Sequence, residues 1–369
     1  MQICDADKFL ETHIYVTGMH LLAEHGSTYN DILADGYKNV HTPQTSNFTN
    51  KMDVNLAQTI LAFSEFISKT KPELIVVHGD RTEPLAAAIV GVLNNIKVAH
   101  IEGGEVTGTA DEFMRHAISK LSSLHFVAND ESKYRLAQLG EHEQSIHVIG
   151  SPDIDIMMFS DLPEINSVKV KHGIEFQDYS ILIYHPVTTS TNLNNEIAQV
   201  VSAVIDSGKN YIVIAPNNDH GSDVICEELS GLDKNPRFML FKSIVFEEFL
   251  ILLKNCEFII GNSSAGVREA CVFGIPAIDI GTRQNKRYIP DALRNIQHVG
   301  EIRENILEKI CCVNKHRYIS HYFGDGKSAE RFLKVIKKSE VVESNTQKSF
   351  VELSVTSEAI MNYINEVCF

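Results

Sequence analysis

Between His100 and His116 the chain reads HIEGGEVTGTADEFMRH, with four carboxylates (Glu102, Glu105, Asp111, Glu112), three glycines, two histidines and an arginine. The segment is too charged for a core and too varied for a solvated tail. Crowded carboxylates repel one another, so one stays protonated while its neighbour ionises, and such a set can both take and give protons. Comparable groups recur along the chain, each after a short apolar run. His20 follows HIYVTG, and His78, Asp80 and Arg81 end ELIVVHGDR. His185 ends YSILIYHP, Asn217, Asn218 and Asp219 end YIVIAPNND, Ser263 and Ser264 end EFIIGNSS, and Arg283 ends IPAIDIGTR. Any one of these could be a turn or cap residue. Together they form the rim expected of an α/β active site.

The elements that must carry this rim alternate. HIYVTG, ELIVVHGD, KVAHIEGG, HFVAND and IHVIG read as strands of a first half. The helical patterns between them are MDVNLAQTILAFSEFISKTKP, PLAAAIVGVLNN, FMRHAISKLSSL and SKYRLAQLG. A second half repeats the scheme with strands YSILIYHP, YIVIAPNND, RFMLF, EFIIGNSS and IPAIDIG, and with SAGVREACVFG as one of its helices. Apolar strands separated by helices imply parallel sheets covered on both faces. The expected organisation is two Rossmann-like doubly wound domains, residues 1–160 and 161–336, meeting through the polar, irregular stretch DLPEINSVKVKHG. A polar connector and a last helix follow over 337–369. Ligands of such folds lie at strand C-termini and helix N-termini, here in the cleft between the domains.

Composition narrows the function. A chain of 369 residues suits two domains, and 44% hydrophobic residues supply real cores. The net charge of −15 argues against a nucleic-acid partner, which needs a basic face. Apolar runs such as ELIVVH fall far short of the ~18–20 residues of a membrane span, and MQICDADKFLETH lacks the pattern of a secretory signal. Seven scattered cysteines without a CxxC pair fit a reducing cytoplasm and offer no zinc site, so no metal is expected. GNSSAGVRE is the clearest phosphate candidate: Gly261 and Gly266 allow tight turns, and the hydroxyls and amides of Ser263 to Ala265 would face an anion at a helix start. It is neither a Walker A loop nor a GxGxxG fingerprint, so no nucleotide cofactor is expected.

VTGMH, VHGDR, HIEGGEVTGTADEFMRHAISKLSSLHFVAN, VIGSPDID, YHPVTT, PNND, GNSSAGVREA and GIPAIDIGTRQ stand in this order over nearly the whole chain. The chain thereby resembles the hydrolysing UDP-N-acetylglucosamine 2-epimerases of bacterial sialic acid synthesis. The resemblance implies a GT-B fold, UDP-N-acetylglucosamine as substrate, and N-acetylmannosamine and UDP as products. It implies no cofactor, and a homodimer or homotetramer formed through the N-domain. By resemblance Asp80, Glu102 and Asp111 match the catalytic carboxylates and His185 the cleft histidine. His20, Arg81 and Arg115 match residues lining the sugar site. Ser263, Ser264 and Glu269 match the UDP site, with Arg283 nearby, and Asn217 and Gly266 complete the substrate-binding set. Glu105, Glu112 and His116 are as readily solvated or packing groups, and His78 and His100 as readily satisfied core histidines.

In one place the sequence departs from the family. The family's first strand, and a turn carrying a TRAD-like arginine, have no counterpart after Met1. That leaves HIYVTG and a neighbouring strand with open edges. Either the start lies too late in the reading frame, or the N-domain is impaired. Comparing the thermal stability of this chain with that of one extended by the upstream codons separates the two. Within the fold the alternatives are a non-hydrolysing epimerase and a hydrolysing epimerase of a diacetamido-trideoxyhexose nucleotide. Outside epimerases they are a GT-B glycosyltransferase and an inactive sugar-nucleotide binder.

Overall fold

A computed structural model of the chain describes residues 1–22, 27–44, 51–107, 111–159, 162–187, 190–216, 221–338, 347–349 and 351. It forms two compact units. The first comprises Met1–Glu105, Phe113–Ile149 and Glu330–Phe369; the second comprises Val106–Glu112 and Gly150–Ala329.

The first unit holds β1 (Ile14–Tyr15), β2 (Val40–His41), β3 (Leu74–His78), β4 (Lys97–Ile101), β5 (Leu124–Val127) and β6 (Ile146–Val148). All pairings are parallel, but they make two sheets: β1–β2, and β3–β4–β5–β6. Among the described residues β1 pairs only with β2, and β3 pairs only with β4. Val76 in β3 is 46% exposed. The Met52–Thr70 helix joins the two sheets. Its Phe63 and Phe66 rings lie 5.1 and 4.8 Å from the Tyr15 ring, while Phe63 and Ile67 pack with Ile75 and Val77 of β3. Burying each such side chain contributes about 1.5–3 kcal/mol.

The second unit holds β7 (Ser180–Ile183), β8 (Tyr211–Ile214), β9 (Phe238–Phe241), β10 (Ile259–Gly261), β11 (Ala277–Ile280) and β12 (Ile296–Val299). Their parallel order is β12–β11–β10–β7–β8–β9. This is the doubly wound arrangement, with strand order reversing between β7 and β10. Its core gathers Leu182, Tyr184, Val200, Val204, Tyr211 and Ile260.

Three local expectations change. Pro152–Phe159 is a helix, and DLPEINSVKVKHG, expected to be irregular, holds a second helix, Ile165–His172. Glu164 caps the second helix by accepting from the Ser167 amide, and Gly173 ends it in the left-handed region. His172 and Lys171 fasten it to Glu248 at 2.7 and 2.6 Å. SAGVREACVFG is not one helix but a 3-10 turn, Ser264–Gly266, followed by a short helix, Glu269–Phe273. Glycine inside the segment weakens a continuous helix. β2, β12 and the helices Arg303–Cys312 and Ser328–Ile336 are additional elements. The expected last helix lies outside the described residues. No helix among them is long and apolar enough to cross a membrane.

Candidate active site

In the first unit the polar groups gather at the C-terminal ends of β3 and β4. Arg115, on the Asp111–Leu121 helix, is nearly buried. Its guanidinium pairs with Asp80 and donates to the Glu105 carbonyl at 3.2 Å. Glu102 follows β4 in the left-handed region, at φ 64°. For a residue with a Cβ this costs about 1–2 kcal/mol. The strained backbone is held on both sides. The Glu102 amide donates to the Phe126 carbonyl at 2.8 Å. Two residues on, a Cβ at Gly104 would lie 2.3 Å from the Ser132 carbonyl oxygen, so the chain passes where only glycine fits. The Glu102 carboxylate meets His78 Nε2 at 3.0 Å.

His100 is fully buried, and both ring nitrogens are engaged: one with the Gly79 carbonyl at 2.8 Å, the other with Ser119 Oγ at 2.9 Å. Burial pushes its pKa down to about 3, so the ring is neutral. It is a satisfied core histidine, as its place in an apolar strand allows, and it pins the peptide that precedes Asp80. His78 is not a core residue, being half exposed on the carboxylate of Glu102. His20 lies in the 3-10 turn Gly18–Leu21, with Nδ1 2.6 Å from Thr28 Oγ1. Arg81 opens the Thr82–Leu93 helix and reaches the Met19 sulfur at 3.7 Å. A Cβ at Gly18 would lie 2.2 Å from Glu83 Oε1, so the VTGMH turn and the GDRTE turn are close neighbours.

In the second unit the groups gather at the reversal between β7 and β10. The buried Asn262 side chain accepts from the His185 amide at 2.6 Å and donates to the His185 carbonyl at 2.8 Å. The Asn262 carbonyl accepts from Gln284 Nε2 at 2.8 Å and from Arg283 Nη1 at 3.4 Å. One asparagine thus ties the histidine turn to the arginine turn. Gly261 makes room: its φ is 129°, and a Cβ there would stand 1.9 Å from the Ile183 carbonyl oxygen. Ser263 accepts from the Ala265 amide at 3.3 Å, and Ser264 starts the 3-10 turn. Gly266 has ordinary space around it and an unstrained backbone. Glu269 is half-buried; burial raises its pKa, with Arg268 opposing, and its Oε2 has no hydrogen-bond partner. Asp111 opens its helix, and the adjacent Glu112 accepts from the Thr107 amide at 2.7 Å. Asn217 lies outside the described residues. Asn262 and Gln284 were missed from sequence, although both sit inside the quoted GNSS and GTRQ motifs.

The family model described as UDP-N-acetylglucosamine 2-epimerase matches residues 2–337. The UDP-N-acetylglucosamine 2-epimerase of Neisseria meningitidis serogroup B is 41% identical over 352 residues, covering 94% of this chain and 92% of that protein. The hydrolysing UDP-N,N'-diacetylbacillosamine 2-epimerase of Legionella pneumophila is 34% identical, covering 89% of this chain and 88% of that one. A solved UDP-GlcNAc 2-epimerase from N. meningitidis, bound to UDP-GlcNAc, shares the fold with a TM-score of 0.78 at 18% identity, covering 91% of this chain and 94% of that chain. On this match over nearly its whole length, the chain belongs to the UDP-N-acetylglucosamine 2-epimerase family.

Proposed function

We propose that the protein is a hydrolysing 2-epimerase that converts UDP-N-acetylglucosamine to N-acetylmannosamine and UDP, the opening step of sialic acid synthesis. The observation that carries the reading is the acid–base set Asp80–Arg115 and Glu102–His78 at the ends of β3 and β4. The C2 proton of the sugar is a poor acid, so its removal needs a placed base and stabilisation of charge on the ring. In this reading UDP leaves C1 as the C2 proton is taken, giving a glycal. Water then adds at C1, and a proton returns to the other face of C2. Glu102 and Asp111 are assigned the C2 proton transfers and the activation of water. Asp80, held by Arg115, orients the sugar and stabilises positive character at C1. His20, Arg81 and Arg115 line the sugar. His185, Ser263, Ser264 and Arg283 serve the diphosphate, and Glu269 the ribose hydroxyls.

The 34% identity to the Legionella enzyme favours a second reading, a hydrolysing epimerase of a diacetamido-trideoxyhexose nucleotide. Proton NMR in deuterated water separates the two. Free N-acetylmannosamine deuterated at C2, released with UDP, is the expected result. Release of UDP-N-acetylmannosamine would make the enzyme non-hydrolysing. Turnover of the UDP-diacetamido sugar alone would establish the second reading. UDP release that needs an added acceptor would indicate a glycosyltransferase.

A further inference from the structure

His78 stands outside the residues assigned a direct part in the reaction, yet it touches one of them. Its Nε2 lies 3.0 Å from Glu102 Oε2. An ionised carboxylate only accepts, so Nε2–H donates. The two side chains differ sharply in access: that of Glu102 is 9% exposed and that of His78 45%. The carboxylate is held in place by the left-handed backbone at Glu102, its amide bond to Phe126, and the glycine that follows. The other histidine nearby cannot carry protons. His100 is sealed in the core with both nitrogens bonded, and it stays neutral. The His78 side chain, by contrast, is half exposed beside the carboxylate.

We propose that His78 is the positioning and proton-exchange partner of Glu102, passing protons between solvent and a carboxylate that solvent barely reaches. The inference rests on the epimerase reading. Each passage balances: the Glu102 carboxyl gives its proton to His78 Nε2, while Nδ1–H is released to a water molecule, and reloading runs the same path backwards. A turnover that leaves Glu102 in the wrong protonation state is thereby reset before the next sugar binds.

Two measurements test this. In steady-state assays with UDP-N-acetylglucosamine, His78→Gln is expected to lower kcat about ten- to a hundredfold with KM within about twofold. His78→Ala should behave likewise and recover on addition of imidazole, whereas His78→Gln should not recover. Wild-type kcat in either variant would overturn the proposal. So would a loss that imidazole leaves untouched, because a packing role predicts that result. The second measurement does not need turnover. Ring 15N spectra should show the His78 Nε2 resonance shifting in Glu102→Ala, and an unchanged resonance would sink the pairing itself. If wild-type protein leaves UDP-N-acetylglucosamine intact, the substrate reading fails while the spectra still decide the His78–Glu102 partnership.

Discussion

Arg115 and Asp80 show how a residue pair shapes the site before any substrate arrives. The guanidinium is almost wholly buried, and the carboxylate is mostly buried. Each has exchanged water for the other, and Arg115 also holds the Glu105 carbonyl. Breaking such a pair from one side leaves an uncompensated charge. Arg115→Met and Asp80→Asn are each expected to destabilise the first unit by about 2–4 kcal/mol. The double variant should recover part of the single Arg115→Met loss. Urea unfolding midpoints check this, and an Arg115→Met midpoint equal to wild type would show that the pair contributes nothing. The site depends on this contact because Asp80 sits on a turn whose peptide is pinned by His100.

At the level of elements, the β7–β10 reversal is built on close approach of backbone to backbone. Gly261 at φ 129° leaves its neighbour strand no space for a methyl group. Gly266, five residues on, would place a Cβ 3.6 Å from the Ala277 Cβ, an ordinary contact. The two glycines stand in one motif and look equivalent in sequence, but their substitutions should differ. Gly261→Ala is expected to cost more than about 4 kcal/mol, through strain and a forced shift of β7. Gly266→Ala should stay within about 1 kcal/mol of wild type. Thermal melting of the two variants side by side gives the answer, and equal melting temperatures would refute the assignment of Gly261 as the contact glycine.

Across the whole molecule, the two units carry opposite buried titrations. In the first, His100 and His125 are forced neutral by burial. For Glu141 burial opposes ionisation, but hydrogen bonds from His125, Lys348 and Lys120 outweigh it and hold its pKa at about 2. Lys348 also donates to the carbonyls of Ser119, Lys120 and Ser122, at 3.2, 2.9 and 2.7 Å, closing the C-terminal end of the Asp111–Leu121 helix. Below the ordinary histidine value near 6.5 the unfolded chain takes up protons that the folded unit refuses, so stability falls as pH drops toward 3. Glu141 adds a further loss between about 4.5 and 2. For each such group the slope is at most about 1.4 kcal/mol per pH unit. In the second unit burial raises Glu269 and Asp279, so the folded form binds their protons more readily and acid does not penalise them. Amide hydrogen exchange at pH 5 and at pH 7.5 is expected to show the first unit opening selectively at the lower pH. Selective opening of the second unit would contradict the assignment.

Much of the alternation was legible in the sequence, because apolar runs of strand length between amphipathic stretches leave few other folds. The Met52–Thr70 helix and the strands β3, β4, β5, β7, β8 and β11 lie where the periodicity puts them. The Ile165–His172 helix was hidden, since a capping carboxylate three residues before a serine, and a glycine at the end, carry the signal rather than an apolar stripe. The sequence also marked candidate residues, because several charged groups after apolar runs form together the rim expected of an α/β site, though each alone could be a turn or cap residue. What it could not determine was pairing. That His78 meets Glu102, that Arg115 meets Asp80, and that Asn262 joins His185 to Arg283 all depend on register between strands far apart in the chain. Register is set by packing, and no local pattern of residue types encodes which side chain will face which across a parallel sheet.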